Sequence, residues 1–149
     1  MSLVGQFRFD SVRHWSNIMR TTKYPNGIES FLVDNDAEAK NSAYTVVITT
    51  DSGKTFTNGE TDGVVFTLPG IEIGNTITFI NTAPYGQADL TISPDASDGI
   101  TYINDSTDDK DLILTKSTSN TGDYVTLASL DGVVAWQVVD VRGVWTKEP

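Results

Sequence analysis

The chain has no cysteine and a single histidine among its 149 residues. Without thiols it can build no disulfide framework, no thiolate metal site and no cysteine nucleophile. Stability must therefore come from packing or from subunit contact. The histidine, His14, lies in a basic N-terminal stretch far in sequence from any activated serine, and there is no Gly-x-Ser-x-Gly elbow, so a hydrolase triad is not expected. No apolar run approaches the ~18 residues that span a bilayer. Arg8, Asp10, Arg13 and Arg20 interrupt what would be the apolar core of a secretion signal. The expectation is a protein made in a cytoplasm, with no membrane partner and no catalytic role.

Bases are scarce too, and they are unevenly placed. Residues 1 to 25 carry Arg8, Arg13, Arg20 and Lys23 against Asp10 alone, a formal +3; the rest carries six bases against nineteen acids, −13, which together give the net −10 of the chain. A body so acidic lacks the cations that phosphate contacts need, so nucleic acid is not an expected partner. The basic stretch is also aromatic. Phe7, Arg8 and Phe9 continue an alternating, extended segment. Asp10 or Ser11 can then N-cap a short helix with Trp15, Ile18 and Met19 on one face and Arg13 and Arg20 elsewhere. A helix of about ten residues is marginal alone and needs a surface to lie on. Tyr24-Pro25-Asn26-Gly27 reads as a turn. The spacing predicts a docking arm and linker over 1–42, with Asp34 to Asn41 as polar linker. The partner-binding residues are Phe7, Arg8, Phe9, Arg13, Trp15, Ile18, Met19, Arg20 and Tyr24.

From Tyr44 onward the hydrophobic period is two. Tyr44 to Thr49 and Lys54 to Thr57 flank an Asp51-Ser52-Gly53 turn. Then come Val64, Phe66 and Leu68, stopped by Pro69-Gly70; Ile77 and Phe79; Leu90 and Ile92; Ile100 and Tyr102; Leu112 and Leu114; Val125 and Leu127; Trp136 and Val138; and a last run from Val144 to Thr146. Short strands with turn signals at this spacing predict an all-β body over 43–149, an antiparallel β-sandwich or a jelly-roll-like barrel. Of these, Val64, Phe66, Leu68, Ile77, Phe79, Leu90, Ile92, Leu112, Leu114, Val125, Leu127, Trp136 and Val138 are the expected core. With no strict repeat and no heptads, a solenoid or coiled-coil shaft is not expected.

Candidate chemistry in the body is thin. Asp95, Asp98, Asp105, Asp108, Asp109 and Asp111 crowd two successive loops, and clustered carboxylates can hold Ca²⁺. Neither that run nor Asp34 to Glu38 keeps the glycine and distal glutamate of an EF-hand loop, so solvated turn acids are the expectation, with no metal and no cofactor. Gly53-Lys54-Thr55 lacks the upstream glycine of a phosphate-binding loop. Of the aromatics, Trp136 reads as core and Tyr85 as the best exposed candidate for a contact.

Three stretches resemble a β-module that recurs in virion proteins of tailed bacteriophages. They are Tyr44-Thr45-Val46 through Asn58, then Val65 to Pro69 with Gly74 to Asn81, then Asp123 to Leu127 with Trp136 to Val139. The resemblance covers roughly residues 43 to 145. It implies a structural role without catalytic residues, usually in a homotrimer. It also implies a place on the virion, with assembly in the host cytoplasm. The expected function is capsid decoration or cement, the arm docking on the major capsid protein or neighbouring virion subunits. The alternative is a small tail- or fibre-associated adaptor or receptor-binding protein.

Overall fold

A computed structural model gives the fold and describes residues 21–23, 29–31, 37–59, 63–130 and 135–149. The chain forms two compact units, Met1–Asp34 and Asn35–Pro149. In the first, strands β1 (Thr21–Lys23) and β2 (Glu29–Phe31) pair antiparallel, Thr22 opposite Ser30. The expected helix after Asp10 and the turn at Tyr24 to Gly27 lie outside the described residues.

The second unit is a two-layer β structure. One sheet has six strands in the order β3 (Ala37–Lys40), β5 (Thr55–Asn58), β7 (Thr76–Asn81), β11 (Tyr124–Ala128), β12 (Ala135–Arg142) and β9 (Gly99–Thr101). The other has five, in the order β13 (Trp145–Lys147), β10 (Leu112–Leu114), β8 (Leu90–Ser93), β6 (Val64–Thr67) and β4 (Tyr44–Thr45). The alternation read from sequence sets the faces. Val64 and Phe66 are buried while Val65 is exposed, and Leu90 and Ile92 are buried while Thr91 is only half so. Every residue of the expected core from Val64 to Trp136 is fully buried. Val138 is half-buried and packs against that core.

The antiparallel expectation is corrected. β3, β5 and β7 run parallel to one another, as do β4, β6 and β8, and β9 is parallel to β12. Among the described strands of this unit, the pairings made by β10 and β11 with their neighbours are the antiparallel ones. The reason is that the chain changes sheet after each early strand. Strands of one sheet start at Ala37, Thr55 and Thr76, and those of the other at Tyr44, Val64 and Leu90. The chain therefore winds as a flattened coil for three circuits, after which β10 and β11 run in the reverse sense and β12 and β13 return to the original one. This is a coil without a sequence repeat, which is why the sequence argued against winding.

Two further expectations change. Part of the polar linker over Asp34 to Asn41 is strand β3, whose pairing with β5 sets Glu38 opposite Phe56. An edge strand needs no apolar alternation, so its residues read as linker. The strand expected over Tyr44 to Thr49 is only two residues long and gives way to a single helical turn, α1 (Ile48–Asp51). Pro69 follows β6, an inner strand of its sheet, and its carbonyl accepts the Trp136 indole N–H at 3.3 Å.

Close approaches, by backbone at one and by a side chain at the other, fix two glycines. A Cβ on Gly99 would stand 2.5 Å from the Ser106 carbonyl oxygen, where the loop bridges back to β9. Gly143 has φ +102°, and a Cβ there would meet the buried Asp123 carboxylate carbon at 2.6 Å. Both make room for the loops that bear the acids.

Three phenylalanines join the layers. Phe56 and Phe79 come from the six-stranded sheet and Phe66 from the other. Ring centroids are 4.9 Å apart for Phe66 and Phe79, 5.6 Å for Phe56 and Phe66, and 5.9 Å for Phe56 and Phe79. Such pairs add roughly 0.5–1.5 kcal/mol each beyond their area burial. Phe79→Ala should therefore lower unfolding free energy by about 3–5 kcal/mol, read as a reduced urea midpoint at unchanged slope. An unchanged midpoint would place the ring outside the core.

Candidate interaction surface

Asp51 organises one end of the second unit. Its side chain is buried, and its carboxylate accepts hydrogen bonds from Tyr44 Oη–H at 2.9 Å, Val47 N–H at 2.8 Å, Thr50 Oγ1–H at 3.2 Å and Lys54 Nζ–H at 3.2 Å. The Val47 bond folds the carboxylate back over the start of α1, satisfying an N–H that the short helix leaves free. Burial pushes this carboxyl up, but the bonds from Val47, Tyr44 and Lys54 together outweigh it and hold the pKa below the ordinary aspartate value. Lys54 is drawn up in turn, chiefly by Asp51, and reaches Glu38 at 3.5 Å. Lys40 Nζ lies 3.6 Å from the Tyr44 ring centre, a cation–π contact that pins β3 beside β4.

This clasp supports one wall of an open groove of about 570 Å³. Val46 to Thr49 form that wall, Pro69 to Glu72 the other, and Asp98 reaches in between, its carboxylate accepting Ile71 N–H at 2.8 Å. Val47 and Ile73 are exposed beside it. The segment after Ile73 is tied to β11, Gly74 N–H donating to the Ser129 carbonyl at 2.8 Å. The lining mixes aliphatic side chains with Thr49, Glu72 and Asp98, which suits a segment that carries both apolar and basic side chains.

A smaller groove of about 290 Å³ is lined by Tyr102, Ile103, Asp105 and Trp145 to Lys147. Its lip is a tight turn in which Tyr102 and Asp105 exchange backbone hydrogen bonds at 2.9 and 3.1 Å. Both central residues are left-handed, Ile103 at φ 47° and Asn104 at φ 65°. Asparagine tolerates that region, whereas a β-branched residue is strained in it. Ile103 is nonetheless 77 % exposed, so no core packing in this unit compensates for the strain. Lys147 crosses the base of the groove, donating to the Ile100 carbonyl at 2.8 Å. Burial pushes its ammonium pKa down against the raising influence of Asp105, Asp108 and Asp111.

The arm residues singled out from sequence, Phe7, Arg8, Phe9, Arg13, Trp15, Ile18, Met19, Arg20 and Tyr24, lie outside the described residues, as does His14. Two of the loop acids are engaged within their own turns. Asp95 accepts from Ser97 N–H and Oγ–H, and Asp105 from Thr107 N–H and Oγ1–H, which lowers the pKa of each. Among the described residues no three metal-ligating side chains stand close enough to share an ion. Tyr85 is exposed, with its hydroxyl donating to the Ser117 carbonyl at 3.0 Å; Trp136 is core. Sequence reasoning missed both grooves. Each joins segments far apart in the chain, and the only local sign was the Asn104 turn.

Asp51→Asn should lower stability by about 2 kcal/mol near neutral pH, since a charged acceptor of several bonds is lost. A carboxyl with a lowered folded-state pKa contributes fully above its unfolded value, near 4, and loses that contribution as pH falls through the folded one. Urea midpoints of the two proteins should therefore converge in acid, whereas a constant gap from pH 7 to pH 2 would show that the charge is not responsible. Ile103→Asn should raise stability by about 1 kcal/mol by relieving the left-handed strain. A lower melting temperature in that variant would mean that Ile103 packs against something.

No protein-family model matches the chain, and no curated protein matches it.

Proposed function

We propose that the chain is a non-enzymatic structural subunit of a tailed-phage virion. It decorates and cements the capsid surface, and its arm, with a short helix after Asp10, docks on the major capsid protein or a neighbouring virion subunit. The observation that carries this reading is the charge division, +3 over residues 1 to 25 and −13 beyond. The basic segment lies within the compact unit Met1–Asp34, and the unit Asn35–Pro149 carries nearly all of the acids. A basic, aromatic segment appended to an acidic β body is suited to plugging into a second protein while the body stays in solvent. The phage β-module resemblance supplies the context, and its strings fall on β4 to β7, β11 and β12. The copies associate as a trimer in this reading.

In such a contact the apolar side chains hold and the charges steer. Trp15, Phe7 and Phe9 are the anchors, while Arg8, Arg13 and Arg20 face acidic groups at the rim. Reversing the three arginines to glutamate in the full chain should slow docking onto purified empty heads and remove its salt dependence. Trp15→Ala should speed release by roughly tenfold or more, in line with loss of an interface aromatic. Unchanged decoration of heads by both variants would assign attachment to the body and overturn the docking role of the arm.

A further inference from the structure

β12 outruns the strand beside it. It has eight residues, Ala135–Arg142, and among the described residues β9 covers only Ala135 to Gln137 on the side away from β11. The last part of β12 is therefore an open sheet edge. Its backbone polarity follows from β11. Asn81 N–H donates to the Asp123 carbonyl and Ser129 N–H to the Asn75 carbonyl, so the odd-numbered residues of β11 address β7 and the even-numbered ones address β12. Tyr124 and Thr126 thus face Arg142 and Asp140 in the ladder, and Val141 between them turns its N–H and C=O to the open side. That N–H is bonded to the carboxylate of its own neighbour, Asp140, at 2.9 Å. Apolar side chains gather at the same edge. A register shift leaves Val139 without an opposite residue on β11, and Val139, Val141 and Val144 are all exposed. Asp140 and Arg142 flank Val141 with opposite charge. Asp140 accepts Tyr124 Oη–H at 2.9 Å, and the Arg142 side chain is 65 % exposed.

Edges kept from pairing carry proline, charges of one sign or a covering segment. This one carries valines and one charge of each sign. We propose that the open edge of β12 pairs antiparallel with the same edge of a second copy, about a two-fold axis through Val141. The order of charges selects the occupant. In an antiparallel pairing of identical strands each meets its own reverse. With Val141 opposite Val141 of the second copy, Asp140 of each copy lies opposite Arg142 of the other, so the attraction is made twice. Registers centred on Asp140 or on Arg142 would oppose like charges instead. The backbone agrees with this register. Val141 N–H exchanges its Asp140 acceptor for the Val141 carbonyl of the second copy, the reciprocal bond forms by symmetry, and each carboxylate oxygen so released meets a guanidinium. Val139, Val141 and Val144 lose water on pairing, which drives association. The contact is short, so association is reversible and concentration-dependent. It goes beyond the virion reading, being a pairing of copies two by two that is separate from the arm and from a trimer.

Sedimentation velocity of the full chain from about 1 to about 200 µM, a range bracketing micromolar affinity, tests the pairing. Wild type should show a two-fold step, monomer to dimer or, where trimers form, trimer to hexamer. Asp140→Arg and Arg142→Asp should each weaken that step roughly tenfold with unchanged far-UV circular dichroism, because symmetry reverses two cross-strand pairs at once. An equimolar mixture of the two variants should associate as wild type does, since each supplies the sign that the other lacks. Should Asp140→Arg fold poorly for want of the Tyr124 bond, Arg142→Asp against Arg142→Lys still decides, and only the first should weaken pairing. The register has its own test. The chain has no cysteine, so Val141→Cys introduces a single thiol. Hydrogen-bonded antiparallel partners have Cα atoms about 5.5 Å apart, inside the ~4.4–6.8 Å range of disulfides. Oxidised glutathione should convert Val141→Cys to a covalent dimer on a non-reducing gel and leave Thr91→Cys, on the other sheet, uncrosslinked. Charge variants that associate like wild type, a mixture no tighter than its components, or a Val141→Cys chain that stays single overturns this edge. So does the absence of any two-fold step in wild type at the highest concentration.

Discussion

The contact among Phe56, Phe66 and Phe79 holds the circuits of the coil in register. Phe56 and Phe79 lie opposite each other on parallel strands of one sheet, and Phe66, from the strand between them in sequence, belongs to the facing sheet. One aromatic from each of three successive passes meets at a single point. If β6 slipped by one residue, Phe66 would turn outward and Val65 inward, and the ring contacts would be lost together. Tyr44 extends the cluster, its ring 5.3 Å from that of Phe56. Its hydroxyl is bonded to Asp51, which connects the apolar centre to the polar clasp at the end of the unit.

Polar groups carry the turns between those passes. Asn58 and Asn81 are buried opposite each other at the ends of β5 and β7. The Asn58 carbonyl of the side chain accepts Thr82 N–H at 3.1 Å. The Asn81 amide donates to the Ala83 and Asn120 carbonyls, while its oxygen accepts Ala83 N–H. These side chains satisfy backbone groups where the chain leaves a sheet, which is where the ladder stops providing partners. Side-chain amides at strand ends thus let the chain change sheets without leaving buried backbone unpaired.

Alternation in the sequence discloses which side of a strand is buried, and Val64 through Trp136 were legible on that ground. It carries no information on the direction of the neighbouring strand. Phe56 opposite Phe79 looks the same in sequence whether β5 and β7 run parallel or antiparallel, so the winding was hidden. β3 was hidden for a different reason. At an edge, Ala37 and Ala39 alternate with Glu38 and Lys40, and Lys40 buries its stem beside Tyr44 and Phe56 while its charge pairs with Glu38. A lysine over an aromatic ring reads as polar in sequence and packs as apolar in the fold. The grooves were illegible because their walls come from segments such as Val46 to Thr49 and Pro69 to Glu72, which meet only through the coil.

The distribution of acids ties fold to interaction. Carboxylates stand in the loops and strand ends, where Asp51, Asp95, Asp98, Asp105 and Asp123 accept backbone N–H groups that no strand satisfies. The strands of the five-stranded sheet need none, because their backbone groups are paired in the ladder and their outward positions are filled by threonine, serine, valine and isoleucine. The acidity of these loops is thus a consequence of how the turns are built: a carboxylate stands where the ladder ends and a backbone N–H needs an acceptor.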